Sequence, residues 1–248
     1  MHASGNTILV TGGGTGIGRA LAQRWHDRGN RVIITGRRLE TLVEAARGRE
    51  RISVYSLDVD DPAGVRAFAG RVLAEHPDLN VLVNNAGIYS DEDPTSSRDL
   101  TSAERMVTTN LLGPIRMTDA LIDHLKGRLG AAVINVSSGT GFVPYPASPT
   151  YGATKAAIHS YTVALRPLLK GRVEVIEIIP TQVQTELSPG QSQLAHCMPL
   201  DEYADEVMQL LDAGPASGEI CVERVRAFRF AEAEGRFDEV LASMVAYL

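Results

Sequence analysis

The chain has 248 residues, of which 44% are hydrophobic and 22% are charged, and its formal net charge is −6. These totals are typical of a globular protein with a sizeable core. The negative charge argues against a general surface for nucleic acid or anionic membranes, and no apolar run approaches the roughly 18 residues of a membrane span. Cys197 and Cys221 have neither a metal-ligand spacing nor a disulfide framework, so we expect reduced thiols in a cytoplasmic protein.

Short apolar runs alternate along the chain with longer amphipathic segments. The apolar runs predict strands at 7–11, 31–35, 52–57, 80–84, 131–137, 173–179 and 219–222. The amphipathic segments predict helices at 16–29, 38–48, 62–76, 100–111, 114–127, 151–169 and 200–212. Near-continuous apolar strands are typical of a parallel sheet with helices on both faces. We therefore predict an α/β fold, a Rossmann-like doubly wound parallel sheet of about seven strands in three α/β/α layers, forming one domain over residues 1–248.

A glycine-rich loop, TGGGTGIG at residues 11–18, follows the first strand and opens the first helix. Glycines allow a close backbone approach to a pyrophosphate, and the helix N-terminus offers N–H groups to that anion. The loop is not a P-loop, because Arg19 and Ala20 stand where a P-loop needs Lys and Ser or Thr. It predicts a dinucleotide site, with a turn that serves only packing as the alternative. The predicted contacts are Gly12, Gly14, Thr15, Gly16, Ile17 and Gly18.

The end of the second strand bears on the choice of cofactor. An NAD site usually presents an acidic side chain here to the ribose 2′-hydroxyl. This chain instead has Thr35 and Gly36, followed by Arg37 and Arg38. Two guanidinium groups suit a 2′-phosphate. We therefore expect NADP(H) as the favoured cofactor and NAD(H) as a second possibility; the alternative is that the arginines simply begin a solvated helix.

Four motifs occur in one order along the chain. The pattern T-G-x-x-x-G-x-G lies at residues 11–18, N-N-A-G at 84–87, a serine after the fifth strand in VINVSS, and Y-x-x-x-K at Tyr151 and Lys155. In these motifs the sequence resembles the single-domain branch of the short-chain dehydrogenase/reductase family, and the resemblance spans nearly the whole chain. It implies an oxidoreductase that interconverts a small-molecule carbonyl and an alcohol by hydride transfer, with neither nucleic acid nor a membrane as partner.

The resemblance implies a catalytic set of Asn110, Ser138, Tyr151 and Lys155. Tyr151 would donate the proton that an alkoxide needs after hydride transfer. Lys155 lies one helical turn away, where we expect it to lower the pKa of the phenol and to bind the nicotinamide ribose. Ser138 lies thirteen residues before the tyrosine, as is common in the family, and would bond the substrate oxygen. We expect Ser137 to brace the strand end, and Asn110 to hold a water on a proton path.

Other positions match the family's cofactor contacts. Asp58 and Val59 end the third strand and match an adenine contact, and Asn85, Ala86 and Gly87 would line a ribose and support the sheet. After the sixth strand the family usually has Pro-Gly, but this chain has Thr181 in place of the glycine, which puts the local backbone path in doubt because threonine tolerates a positive φ poorly. The remaining predicted cofactor contacts are Pro180, Val183 and Thr185, with Tyr151 and Lys155.

Three loops are expected to surround the substrate, one of them at residues 182–198. They offer a mixed lining without an evident cationic clamp, which favours a neutral carbonyl or alcohol. The candidate lining residues are Tyr89, Phe142, Tyr145, Gln182, Leu194, His196 and Met198. The C-terminal half resembles a subgroup of lipoteichoic-acid-operon-type oxidoreductases, and segment 223–248 is interpreted either as a helical cover over the sheet edge or as an oligomer contact.

Assembly and activity each leave an alternative. The resemblance implies that the helices at 100–127 and 151–169 pair across a two-fold axis, giving a homodimer or a homotetramer. The alternative function is a dinucleotide-binding sensor or structural partner with little catalysis, and an isomerase or dehydratase is a weaker one. The intact set of Ser138, Tyr151 and Lys155 argues against the sensor, which would not need it.

Overall fold

The seven predicted strands are present, and they lie side by side in one parallel sheet. The computed structural model describes residues 1–214 and 217–245. The strands are β1 (Thr7–Thr11), β2 (Arg31–Gly36), β3 (Ile52–Ser56), β4 (Val81–Asn84), β5 (Ala132–Val136), β6 (Glu174–Ile179) and β7 (Glu219–Cys221). Their order across the sheet is β3-β2-β1-β4-β5-β6-β7. The chain therefore reverses its direction of travel across the sheet between β1 and β4, as in a doubly wound fold.

Helices cover both faces of this sheet, as predicted. They are α1 (Gly16–Asp27), α2 (Leu39–Ala46), α3 (Pro62–Glu75), α4 (Thr101–Val107), α5 (Gly113–Leu125), α6 (Pro149–Leu169), α7 (Leu200–Ala213), α8 (Arg226–Arg229) and α9 (Phe237–Val245). Alternate residues of β1 show why two cores form. Ile8 and Val10 pack with Trp25 of α1 on one face, whereas Leu9 packs with Met117 of α5 on the other.

Helices α4 and α5 are joined differently from the sequence prediction. We predicted two helices separated near residue 113, but the chain stays helical through a widened π-helical turn at Thr108–Leu112. Pro114 does not interrupt the path, because it lies in the first turn of α5, where its missing N–H leaves no hydrogen bond unmade. The widened turn contains Asn110, which is buried.

The C-terminal segment packs on the stretch that follows β5. Val225 and Phe228 lie so close to Gly139 that a Cβ on this glycine would be 2.8 and 3.4 Å from their side chains. Helix α9 adds Val240 and Met244 to a small cluster around Val143. The segment is thus a cover, as one interpretation predicted, but it covers the loop after β5. Residues 246–248 lie outside the described residues.

A row of polar side chains crosses four strands beneath α5 and α6. Asn84, Asn135, Glu177 and Glu219 are direct neighbours in the strand register of β4, β5, β6 and β7. The Asn84 amide donates to Asn135 Oδ1 at 2.8 Å. We call these four residues the polar row. Each of its members needs a partner within the protein, because buried polar groups without hydrogen bonds are costly.

Candidate active site

A cleft of about 680 Å³ opens at the carboxyl ends of the strands, beside the point where the strand order reverses. Ligands bind at this place in open α/β sheets. Every residue that the sequence suggested as a cofactor contact lines the cleft. These residues are Gly12, Gly14, Thr15, Gly16, Ile17, Gly18, Arg37, Arg38, Asp58, Val59, Asn85, Ala86, Gly87, Tyr151, Lys155, Pro180, Val183 and Thr185.

The glycine loop runs so close to its neighbours that several of its positions, Gly12 and Gly18 among them, leave no room for a side chain. Gly12 has a φ of +66°, and a Cβ there would be 2.9 Å from the Ala86 backbone. A Cβ on Gly18 would be 2.4 Å from both Gly12 O and the Asn85 side chain. The loop therefore presents bare backbone to the cleft.

Thr11 and Asn85 hold the glycine loop against the end of β4. The Thr11 hydroxyl accepts hydrogen bonds from the backbone N–H groups of Asn85 at 3.0 Å and of Ala86 at 3.1 Å. In return, the Asn85 side-chain amide donates to Thr11 O at 2.9 Å and to Gly12 O at 3.2 Å. Sequence reasoning expected Asn85 to support the sheet, and its side chain does so through this loop.

The start of α1 is open toward the cleft. Thr15 precedes the helix, makes no side-chain capping hydrogen bond, and no acidic residue lies in the first turn. Free backbone N–H groups and the helix dipole at such an end favour an anion. Thr185, from the loop after β6, lies opposite, 3.4 Å from where a Cβ on Gly16 would be.

Arg37 and Arg38 are exposed and lie at the rim of the cleft after β2. Among the described residues, neither guanidinium has a hydrogen-bond or ion-pair partner, whereas most arginines of the chain have one. Both are therefore available to a ligand. Their backbone begins α2, since Arg38 O accepts hydrogen bonds from Leu42 N and from the Thr41 hydroxyl.

Ser138, Tyr151 and Lys155 come together on the other side of the cleft. Helix α6 buries the tyrosine and lysine on one face, and Ser138 lies in the turn just after β5, following Ser137. The Lys155 Nζ atom is 5.6 Å from the centroid of the Tyr151 ring and donates to Val136 O at 2.9 Å. Ser137 also lines the cleft, and its backbone N–H donates to Ile178 O at 3.0 Å, so it braces the strand end as predicted.

Burial dominates the electrostatics of the Tyr151–Lys155 pair. It raises the pKa of Tyr151 to about 12, while the Ser138 hydroxyl acts in the opposite direction. It also lowers the pKa of Lys155 to about 8, against the attraction of Glu177. Our expectation that Lys155 lowers the pKa of the phenol stays a prediction: in this geometry the ammonium lies over the ring and bonds a strand carbonyl, and burial sets the direction of the shift.

Ser138, Tyr151 and Lys155 lie within a stretch that matches a known protein family and covers most of the chain. A family profile described as short chain dehydrogenase matches residues 6–194. The chain belongs to the short-chain dehydrogenase family. It is therefore a dehydrogenase or reductase of the NAD(P)-dependent type.

Relatives and solved structures agree with this assignment. The chain is 37% identical over 237 residues to an uncharacterised oxidoreductase, DltE, of Bacillus subtilis, with 93% of each chain covered. It is 36% identical over 176 residues to an NADP-dependent 3-hydroxy acid dehydrogenase, YdfG, of Salmonella typhi, covering 70% of this chain and 71% of that one. A short-chain dehydrogenase from Burkholderia cenocepacia, solved in complex with NADP, superposes with a TM-score of 0.84 at 27% identity, covering 98% and 99% of the two chains.

Asn110 differs from the other three suggested catalytic residues of the family, since it lies behind the cleft wall. Its Oδ1 accepts a hydrogen bond from Ile88 N at 2.8 Å. Its Nδ2 donates to Ile88 O at 2.9 Å and to Thr154 Oγ1 at 3.3 Å. The side chain thus fixes the loop after β4 to α6.

The loop after β6 follows an unstrained path despite its missing glycine. No described residue other than glycine has a positive φ, so Thr181 needs no left-handed conformation and our doubt about this turn is removed. Val183 pairs with Met198 across the loop, which closes the segment on itself. The residues of loop 182–198 that line the cleft are Val183, Gln184, Thr185, Glu186, Leu187, Gln191 and Ser192.

Of the residues suggested to line the substrate site, only one lines the cleft among the described residues. Tyr89 lines the cleft, and its ring meets that of Tyr151 edge to face at 5.3 Å. The other suggested lining residues are absent from the cleft wall. Phe142, for example, packs against His159 at 4.6 Å and under Arg229, because the C-terminal segment covers it.

Glu92 is a residue near the site that sequence reasoning missed. Its side chain is 3% exposed and pairs with Arg98 at 2.7 Å. It also accepts hydrogen bonds from the backbone N–H and the hydroxyl of Thr150, both at 2.8 Å. Thr150 lies in the first turn of α6, so a carboxylate from the loop after β4 caps the helix that carries Tyr151. An acid in a loop of several acids gives no sequence signal of this contact.

Proposed function

We propose that the protein interconverts a neutral carbonyl and an alcohol with NADP(H) as cofactor and Tyr151 as general acid and base. The observation that carries this proposal is the gathering of Ser138, Tyr151 and Lys155 on the same cleft as an open helix N-terminus and a bare glycine loop. A dinucleotide sensor needs the open helix N-terminus and the glycine loop, but it has no use for the three catalytic side chains.

The cleft residues fit a dinucleotide. The backbone of Gly12 and Gly18 tolerates no Cβ, so a pyrophosphate can approach closely, and the free N–H groups of α1 face it. When bound, NADP(H) supplies the hydride for the carbonyl carbon, or accepts it from the alcohol. Asp58 and Val59 would contact the adenine, while Asn85, Ala86 and Gly87 would line a ribose.

We assign the preference for NADP(H) to Arg37 and Arg38. Both guanidiniums are exposed and lack a protein partner among the described residues, and no carboxylate stands at the end of β2 to bond a 2′-hydroxyl. The NADP complex of the Burkholderia cenocepacia relative and the NADP-dependent YdfG support the same choice. NAD(H) would lack the phosphate contact and is expected to bind more weakly.

Each catalytic side chain has a distinct task in this mechanism. Tyr151, whose pKa burial raises to about 12, keeps its proton throughout the neutral range and can donate it to the nascent alkoxide. The Ser138 hydroxyl would bond the substrate oxygen as charge develops on it. Lys155 would stabilise the phenolate after proton transfer and bond the nicotinamide ribose. Asn110 would keep the loop after β4 in register with α6, and its place on a proton path remains part of the proposal.

The distribution of charge favours a neutral substrate. Among the described residues lining the cleft, the cationic ones are Arg19, Arg37 and Arg38, near the glycine loop, and Lys155. No arginine remains on the side of Tyr89 to clamp a carboxylate or a phosphate. The loop after β6 contributes Glu186 to the cleft wall, and its charge would repel an anion.

The deciding experiment follows the loss of NADPH absorbance with a panel of aldehydes and ketones, each paired with a carboxylate-bearing analogue of similar size. We expect turnover with neutral members and a lower kcat/KM for their charged analogues. Tight NADPH binding without turnover across the panel would favour the alternative, a dinucleotide-binding sensor.

We also propose a homodimer or homotetramer in the cytoplasm. Helix α6 leaves Val163 and Leu168 exposed, the latter by 77%, and the neighbouring Val107 and Leu112 are each 38% exposed. Such apolar patches often mark interfaces. Ile158 on the same helix is buried in the core, so it takes no part in such a surface. Sedimentation at micromolar concentration tests assembly, and a monomer with full activity would contradict it.

The cytoplasmic location rests on the free thiols Cys197 and Cys221. Within the described residues, no helix is long and apolar enough to cross a bilayer.

A further inference from the structure

Glu177 is a carboxylate in the middle of the sheet. It lies on β6, its side chain has no exposure, and His159 Nδ1 donates to its Oε2 at 2.8 Å. Arg166 approaches the same oxygen at 3.7 Å. The other oxygen, Oε1, is buried without a hydrogen-bond partner. Burying an ionised carboxylate is costly, so a carboxylate in this position calls for a specific explanation.

The reason suggested by the geometry is Lys155. His159 follows Lys155 by one turn of α6, so the residue that bonds Glu177 is stacked directly on the lysine. The Lys155 ammonium bonds Val136 O, and Val136 is the strand partner of Ile178, the residue next to Glu177. Adjacent strands are about 4.8 Å apart. The buried cation and the buried anion therefore share one narrow space between α6 and the ends of β5 and β6.

A metal ion is the competing explanation of this carboxylate. His159, Glu177 and Glu219 bring one ligand-type atom each within 4.8 Å of one another. However, Arg229 binds both oxygens of Glu219, at 2.8 and 3.0 Å, and Arg166 lies within 4 Å of both glutamates. Because Arg229 occupies both oxygens of Glu219, this carboxylate has no oxygen free to serve as the third metal ligand. The cluster is better described as an internal ion network than as a metal site.

The network leaves one positive charge, that of Lys155, to be accounted for. Burial disfavours the ammonium and lowers its pKa to about 8, and Glu177 is the charged group that raises it again. The other charged or titratable groups facing this space are Tyr151, His159 and Arg166 on α6, Glu219 and Cys221 on β7, and Arg229 on α8.

We propose that Glu177, held in place by His159, is a positioning residue that keeps the buried Lys155 ammonium charged. The consequence for catalysis rests on the proposed function, since it assumes that Lys155 acts as a cation on the phenol and the ribose. The electrostatic claim itself concerns two side chains of the folded protein and needs no turnover.

The chain offers an unusually direct test, because its only lysines are Lys126, Lys155 and Lys170. The ¹³Cε shifts of labelled lysines can be titrated by NMR in the parent protein, with Lys155→Arg used only to assign the signal. We expect Glu177→Gln to lower the titration midpoint of Lys155 by about half a pH unit or more. Glu177→Asp retains the charge and should restore most of the midpoint.

Glu219→Gln is the matched control, since it changes a largely buried carboxylate of the same network, one strand further from Lys155. It should leave the midpoint close to that of the parent. If Glu177→Gln does not fold, the double variant Glu177→Met with His159→Phe removes the ion pair with apolar groups, and Arg166 keeps its bonds to Val175 O and Gly218 O. An unchanged midpoint after loss of Glu177, or an equal shift in Glu219→Gln or Glu177→Asp, would overturn the proposal. Failure of the carbonyl assay would leave this result intact.

Discussion

Removal of Arg37 and Arg38 tests how the protein selects its cofactor. Both guanidiniums are exposed and unpaired among the described residues, so their replacement by alanine breaks no internal contact and should leave the fold unchanged. A charge-assisted hydrogen bond at a partly solvated site contributes about 1–1.5 kcal/mol. Two of them amount to about 2–3 kcal/mol, which is roughly a 30- to 150-fold loss of NADPH affinity.

NADH lacks the 2′-phosphate, so we expect its affinity to change by less than about threefold. Fluorescence titrations with both cofactors, on the parent and the Arg37→Ala/Arg38→Ala variant, give the two ratios. Arg47→Ala is the control, because Arg47 follows the same helix, is paired with Glu44 and lies outside the cleft. Equal losses for NADPH and NADH would refute the assignment of the phosphate to these arginines.

Three further outcomes follow from the site. Tyr151→Phe should reduce kcat at least 10²-fold with little change in NADPH affinity. Tyr145 lies outside the cleft, so Tyr145→Phe should keep a kcat close to that of the parent. Near-parental turnover of Tyr151→Phe would exclude Tyr151 as the proton donor. Lys155 has a folded pKa of about 8 against its ordinary 10.5, so the unfolded chain binds more protons between these values and stability should rise with pH there. Relative to Lys155→Met, the free energy of unfolding of the parent should increase by about 2 kcal/mol from pH 8 to pH 10 in urea titrations, and parallel curves would contradict this. Glu92→Ala should cost about 2–4 kcal/mol in the same assay, because it uncaps α6, while Asp93→Ala on the exposed neighbour should cost under about 1 kcal/mol; similar losses would show that the cap is unimportant.

The sheet was predictable because each strand is an apolar run covered on both faces. Runs such as those at 7–11 and 80–84 are mostly apolar and are buried in the structure. The observed strand ends differ from the predicted ones by one residue at most. The join between α4 and α5 was not predictable in this way. A π-helical turn adds no composition signal, and Pro114 suggested a break that its place in the first turn of a helix makes unnecessary.

The site residues likewise divide into those that the sequence could identify and those that it could not. Residues that act through the backbone or by position in a motif, such as Gly12, Arg37 and Tyr151, could be found because their spacing is local. Glu92 and Glu177 could not be assigned, because their partners lie 58 and 18 residues away in sequence. Glu177 did leave one signal, a charged residue inside the apolar run of β6, which is uncommon for a strand covered on both faces.

The polar row also restricts how this fold can change over time. Asn84 and Asn135 share a direct hydrogen bond, and Glu177 and Glu219 share the guanidinium of Arg166, so replacing one member of either pair by an apolar residue removes a polar contact of the group it was paired with. Such substitutions are strongly non-additive, and an apolar version of the row is reachable only when several positions change together. The centre of the sheet is therefore expected to vary among descendants of this sequence in blocks rather than residue by residue.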